Sequence, residues 1–278
     1  MIEGESGWAV VLGVTGGTGG AVARALARDP GLNIFGVHRG HWKDEATAIE
    51  RDVVGNDRRC HMFVHDAQSA DHAAEGAAGL LDVAGRGNVK VLVHAIANAS
   101  YGGFARDWQG RRFEPHKLES TFECMAHSFV YWVRQLYDRR ILAPGARLIA
   151  LTNPMVDSVV HGWGGVAAAK AALEMYVRHL GHELGPEGYR VILVKFGMVE
   201  TRAIKIAFPD EEWSRVKGEI AGGTPAGRLS TVDEVGALVS YLAGPGGDWF
   251  TASTVDFSGG QTGALLDGIF NRSQEVRK

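Results

Sequence analysis

The sequence predicts a doubly wound α/β fold, a seven-stranded parallel sheet of Rossmann type with helices on both faces, and three observations predict it. Short apolar runs alternate with longer helical patterns along the whole chain, the order that yields parallel strands joined by right-handed helical crossovers. Several runs, WAVVL, VKVLVH and RVILVK, are almost continuously apolar, as strands covered on both faces are. The first run leads directly into a Gly-rich turn and then a helical pattern, the arrangement that binds a dinucleotide in such sheets.

The strands are expected at Trp8–Leu12, Asn33–Val37, His61–Val64, Val89–His94, Arg147–Leu151, Arg190–Lys195 and Thr254–Phe257. Intervening helices are expected at Gly19–Arg28, Ala70–Ala84, Leu118–Arg139, Gly165–Leu184 and Val232–Leu242. The 278 residues are long for one domain but ordinary for a large α/β sheet, and a single domain over 1–278 is expected. A net charge of -3 with both signs dispersed argues against nucleic acid, which calls for a concentrated basic face. Cys60 and Cys124 stand far apart, with no metal-ligand spacing, so neither a disulfide framework nor a metal site is expected and a cytoplasmic setting fits. No secretory signal opens the sequence, and no apolar run has the length of a membrane span.

After the first strand comes GVTGGTG, with Gly13, Gly17 and Gly19 at GxxxGxG spacing and Thr15 and Thr18 between them. Bare backbone lets phosphates approach, and the following helix offers unpaired N–H groups and its positive dipole end. A tight strand-to-helix turn is the bland alternative. At the end of the second strand, where an NAD site usually has an acid, stand His38 and Arg39. A guanidinium there either pairs with the 2′-phosphate of NADP(H) or is a solvated surface group. Asp66, after the third strand, either accepts from the adenine amino group or caps the next helix.

With these residues in hand, the chain resembles the short-chain dehydrogenase/reductase superfamily from Ala9 to about Gly263. HAIA after the fourth strand, HSFV from His127 and FGMVETRA from Phe196 are similar to its divergent branch, the enoyl-acyl-carrier-protein reductases. The resemblance implies Ala95 and Ile96 beside the cofactor, Val199 at the carboxamide and Thr201 near the phosphates. It places Thr152 and Asn153, in LTNP, at the usual serine segment and Lys170 at the catalytic lysine, which binds the nicotinamide ribose. The superfamily's tyrosine four residues before the lysine is Val166 here, and the branch's tyrosine seven before it is Trp163. Both phenols are missing.

Neither replacement is an acid: Val166 donates nothing, and an indole N–H donates only a hydrogen bond. Lys170, Asn153 and His161 are therefore the expected catalytic set, with Asn153 steadying an oxyanion and His161 or water supplying the proton. For Asn153 a local turn before Pro154 is the competing reading. Asp157, Tyr101 and His127 are less favoured proton sources. The loop 99–117 mixes Tyr101, Phe104 and Trp108 with Arg106, Arg111, Arg112, His116 and Lys117. It is read either as a solvated loop or as an acyl pocket rim that meets coenzyme A or an acyl carrier protein. The segment 201–223 stands at the lid position, with Phe208 toward substrate. Phe129, Trp132, Leu136, Met175 and Tyr176 are expected to form a homodimer or homotetramer surface. The leading expectation is an NADPH-dependent reductase of an activated C=C, C=O or C=N bond in a mostly apolar small molecule, thioester-linked in its most specific form. A non-redox lyase, isomerase or cyclase on the same fold, or an inactive nucleotide-binding protein, are the alternatives.

Overall fold

The computed structural model describes residues 6–107, 110–201 and 210–264. Seven parallel strands form one sheet: β1 Gly7–Leu12, β2 Leu32–His38, β3 Cys60–Val64, β4 Val89–His94, β5 Leu142–Thr152, β6 Arg190–Phe196 and β7 Ser253–Phe257. Their spatial order is β3-β2-β1-β4-β5-β6-β7, so the chain reverses its direction of travel between β1 and β4. In open α/β sheets the ligand crevice lies beyond the carboxyl ends of the strands at that reversal.

Helices α1 Gly17–Leu26 and α2 Lys43–Val54 cover one face, joined there by a helix near the C-terminus, Val232–Ala243. Val22, Ile49 and Val239 from these three pack with Val11, Ile34 and Ile192 of the strands. On the other face lie α3 Ala70–Ala84, α4 Pro115–Phe122, α5 Ser128–Asp138 and α6 Gly164–Leu184. Leu80, Phe129, Trp132 and Leu173 there pack on Phe35, Leu92 and Leu193. The remaining helices are α7 Asp210–Gly223 and α8, the Val232–Ala243 helix already placed. Thr231 and Glu234 cap α8 reciprocally, satisfying two N–H groups that its first turn leaves open.

All seven expected strands are present. β5 starts five residues earlier than its apolar run suggests, because Gly145, at φ +74°, lets Leu142 pair with Val89 before the register shifts to Arg147 opposite Val91. Helix Lys43–Val54 went unexpected: its buried residues are only Ala46, Ile49 and Val53. The expected continuous helix Leu118–Arg139 is interrupted by a π-helical segment, Glu123–His127, between α4 and α5. There the Ser128 hydroxyl donates to the Cys124 carbonyl and lies 2.8 Å from Nε2 of His94, a side-chain intrusion of the kind that deforms helices.

The proposed pairing surface needs correction. Phe129, Trp132 and Leu136 are wholly buried in the chain's own core, and the Trp132 indole donates to the Ala67 carbonyl. They seat α5 on the sheet and are unavailable to a partner, whereas Met175 is exposed. Among the described residues, no helix is long and apolar enough to cross a membrane.

Candidate active site

Two adjoining cavities open at the strand ends. The first, about 360 Å³, is lined by the Gly-rich turn, by His38, Arg39 and Asp66, and by Ala95 and Ile96. Gly13 has φ +82°, and a Cβ there would come within 2.7 Å of the Ala95 carbonyl oxygen. A Cβ on Gly19 would lie 2.3 Å from the Gly13 carbonyl oxygen, closer than atoms pack. The turn therefore needs glycine both for its conformation and for its close packing. No side chain caps α1 at Gly16, which leaves its first-turn N–H groups open to an anion, where the helix dipole favours negative charge. These features fit a dinucleotide pyrophosphate.

At the adenosine end, the Gly40 N–H donates to Nδ1 of His38, and Gly40 itself has φ +80°. Arg39 is exposed on the cavity rim. Asp66 accepts from the backbone N–H and side-chain amide of Gln68, while Ser69 caps α3. Asp66 is thus not the helix cap and faces the cavity instead. Thr201 lies over the phosphate turn: its Cγ2 is 3.2 Å from where a Gly17 Cβ would be.

The second cavity, about 530 Å³, shares Thr18, Ala97, Asn98 and Thr201 with the first. Its walls include Tyr101, Met125, Asn153, Trp163, Val166 and Val199. Met125 comes from the π-helical segment, which sequence periodicity does not reveal. Val166 is buried in the wall where the superfamily resemblance places a phenol. Asn153 uses its carbonyl oxygen to accept from Met155 N–H; the local turn is real, and the amide NH₂ is left for another acceptor.

Lys170 lies one helical turn beyond Val166 and is almost completely buried. Its Nζ donates to the Leu151 carbonyl at 2.9 Å. Burial pushes its ammonium down to about 8. It lines neither cavity surface. Beside it, the Thr152 hydroxyl is buried without a partner. His94 is also wholly buried, pushed down to about 3 by burial and by the Lys170 charge.

Not every expected site residue converges. His161 is exposed and is absent from the residues lining the cavity. Asp157 is engaged by Lys195 at 2.8 Å, and His127 pairs with the Tyr176 hydroxyl. Phe104 packs against Gly164 and Phe113 instead of lining the cavity. Tyr101 and Trp163 do line it, with ring centroids 4.7 Å apart. Phe208 and Trp108 lie outside the described residues. From the expected lid, Ile220 and Gly223 of α7 reach the cavity, while Trp213 is buried.

The fold and the first cavity define a dinucleotide-binding type of scaffold. The chain belongs to the short-chain dehydrogenase/reductase superfamily: residues 13–262 match the family described as Enoyl-(Acyl carrier protein) reductase. It is 24% identical to acetoacetyl-CoA reductase of Allochromatium vinosum over 91% of this chain and 97% of that protein. It is also 24% identical to 1-cyclohexenylcarbonyl-CoA reductase of Streptomyces collinus over 90% and 85%. A short-chain dehydrogenase from Burkholderia cenocepacia, solved in complex with NADP, superposes with a TM-score of 0.79 at 20% identity, covering 92% of this chain and 98% of that one. The protein is an oxidoreductase of this superfamily.

Proposed function

We propose that this protein is an NADPH-dependent reductase of a carbonyl, or of a double bond conjugated to one, in a mostly apolar acyl group carried as a thioester. The observation that carries the reading is the junction of the two cavities. A mainly apolar chamber opens onto the nucleotide cleft through Thr18, Ala97, Asn98 and Thr201, so a reacting bond in one lies beside a cofactor in the other. The two coenzyme A thioester reductases among its relatives support the substrate class.

The Gly-rich turn and the start of α1 would hold the pyrophosphate, Arg39 the 2′-phosphate and Asp66 the adenine edge. Val199 would meet the carboxamide, and Lys170, buried behind the cavity wall with Thr152, would act on the ribose through its charge alone. Reduced nicotinamide, when bound, supplies hydride. Asn153 offers its free amide N–H to the substrate oxygen, and the buried Lys170 charge favours the negative charge that develops there. Met125, Val166 and Val199 keep the chamber apolar, which strengthens both interactions. Following NADPH absorbance with enoyl and 3-oxoacyl thioesters of increasing chain length tests the reading. Oxidation of NADPH with one class supports it; failure with all of them refutes it.

Cofactor choice is separately testable. Arg39 makes no hydrogen bond or ion pair among the described residues, so its guanidinium is free for a phosphate. A charge-assisted bond contributes about 1.5–3 kcal/mol, or roughly ten- to a hundredfold in affinity. NADPH is expected to bind more tightly than NADH by that factor, and Arg39→Ala to remove most of the difference, as read by fluorescence titration. Equal affinities in the unsubstituted protein would refute the assignment.

A further inference from the structure

With Trp163 and Val166 at the two positions where the resemblance expects a phenol, neither position supplies one, yet the chemistry still calls for an acid. When hydride reaches the carbonyl carbon or the conjugated β-carbon, the displaced electron pair ends on the carbonyl oxygen. That oxygen needs a donor that can release a proton. Asn153 donates a hydrogen bond but is no acid.

The hydroxyls and acids of the chamber can be compared one by one. Thr18, in the Gly-rich turn, and Thr201, over it, are alcohols, too weak as acids. The Ser158 hydroxyl faces the Pro154 carbonyl at 3.4 Å and is likewise an alcohol. Glu219 reaches the rim from α7, where Arg215 holds it at 2.7 Å. Tyr101 is different. It lies on the loop after β4 and lines the chamber, with its ring tilted 57° against Trp163 at 4.7 Å between centroids. Trp163 occupies the place of the branch's missing phenol, so the Tyr101 ring reaches the same wall from the opposite loop. The backbone fixes this approach: Gly102 N–H donates to the Gly162 carbonyl at 2.9 Å, next to Trp163. No group among the described residues takes the Tyr101 hydroxyl. The side chain is 49% exposed, so water reaches it.

We infer that Tyr101 is the catalytic proton donor, a phenol supplied by the β4 loop in place of the one missing at positions 163 and 166. This rests on the reductase reading above. The bond that forms is O–H on the substrate oxygen and the bond that breaks is the phenol O–H. The resulting phenolate takes a proton from solvent through its exposed side. With a carbonyl substrate the product is the alcohol; with a conjugated double bond it is the enol, which tautomerises to the saturated carbonyl. Burial raises the phenol above its ordinary range, so at neutral pH it carries the proton it must give.

Tyr101→Phe keeps the ring and its packing on Trp163 and removes only the hydroxyl. NADPH affinity by fluorescence titration and the thermal midpoint are expected to stay unchanged. The kcat should fall about a hundredfold or more, with KM rising only several-fold. An unreactive amide analogue of the thioester should bind the variant several-fold more weakly by calorimetry, since its oxygen loses a donor. Tyr101→His, which restores an acid, should recover part of kcat with a new limb in its pH profile near the histidine range. If the unsubstituted protein turns over and Tyr101→Phe matches it, the inference fails while the reductase reading stands. If the unsubstituted protein oxidises NADPH with no substrate, both fall together.

Discussion

Replacing Lys170 by methionine is expected to cut turnover by about a hundred- to a thousandfold, the usual cost of losing one group that stabilises an oxyanion. The same change should raise stability at neutral pH. The Lys170 ammonium is held down to about 8 from 10.5 by burial. Below pH 8 the folded and unfolded chains are both protonated there, and the cost of burying the charge is fully present, about 3 kcal/mol. Between 8 and 10.5 the unfolded chain holds more protons, so stability rises with pH and the cost disappears. Methionine also gives up the hydrogen bond to the Leu151 carbonyl, worth about 1 kcal/mol. The variant should therefore gain about 2 kcal/mol at pH 7 and lose that advantage by pH 10.5, as measured by urea unfolding. Undiminished turnover would remove Lys170 from the chemistry.

Acid sensitivity is the second large effect. His94 lies at the end of β4 with its folded-state value near 3 against 6.5, first because it is buried and then because Lys170 is close. Above pH 6.5 the imidazole is neutral in both states. As pH falls below 6.5 the unfolded chain takes up a proton that the folded chain refuses, so stability is lost. The loss should reach about 3 kcal/mol between pH 6.5 and 4.5, a large part of a total that is typically 5–15 kcal/mol. His38 shifts in the same direction and adds to the slope. His94→Asn, whose side chain does not titrate, should flatten the profile in that window, while Lys170→Met should soften it by removing the neighbouring charge. A flat profile in the unsubstituted protein would contradict this account.

Sequence alone carried the sheet because its signals are local. Val89–His94 and Arg190–Phe196 read as apolar runs whatever their surroundings, and Gly13, Gly17 and Gly19 mark the phosphate turn through their own backbone needs. The residues of the first cavity, His38, Arg39, Asp66, Ala95 and Ile96 among them, followed from the strand ends. Other features depend on contacts that no local pattern encodes. Helix Lys43–Val54 is largely charged and is held by three buried side chains, with Arg24 reaching Glu45 and Asp52 from α1. The π-helical segment depends on Ser128 meeting His94, thirty-four residues away. Sequence ranked Tyr101 and Phe104 together as loop aromatics; only the fold separates them, sending one into the chamber and the other onto Gly164 and Phe113. His161 looked close to the site in sequence, yet the fold leaves it exposed and outside the chamber lining.

The π-helical segment has a bearing on how this chain is aligned and altered. One extra residue in a helical turn rotates everything beyond it by about 100°. Residues before Glu123 and after His127 therefore obey two different phases of the same repeat. Leu118 faces Gly165 of α6, and Phe129, Trp132 and Leu136 face the sheet. A straight-helix alignment across 118–139 would mispair the positions beyond the segment by one. Any graft or loop exchange that ends inside 123–127 inherits that offset, so exchanges in this part of the protein belong either wholly before the segment or wholly after it.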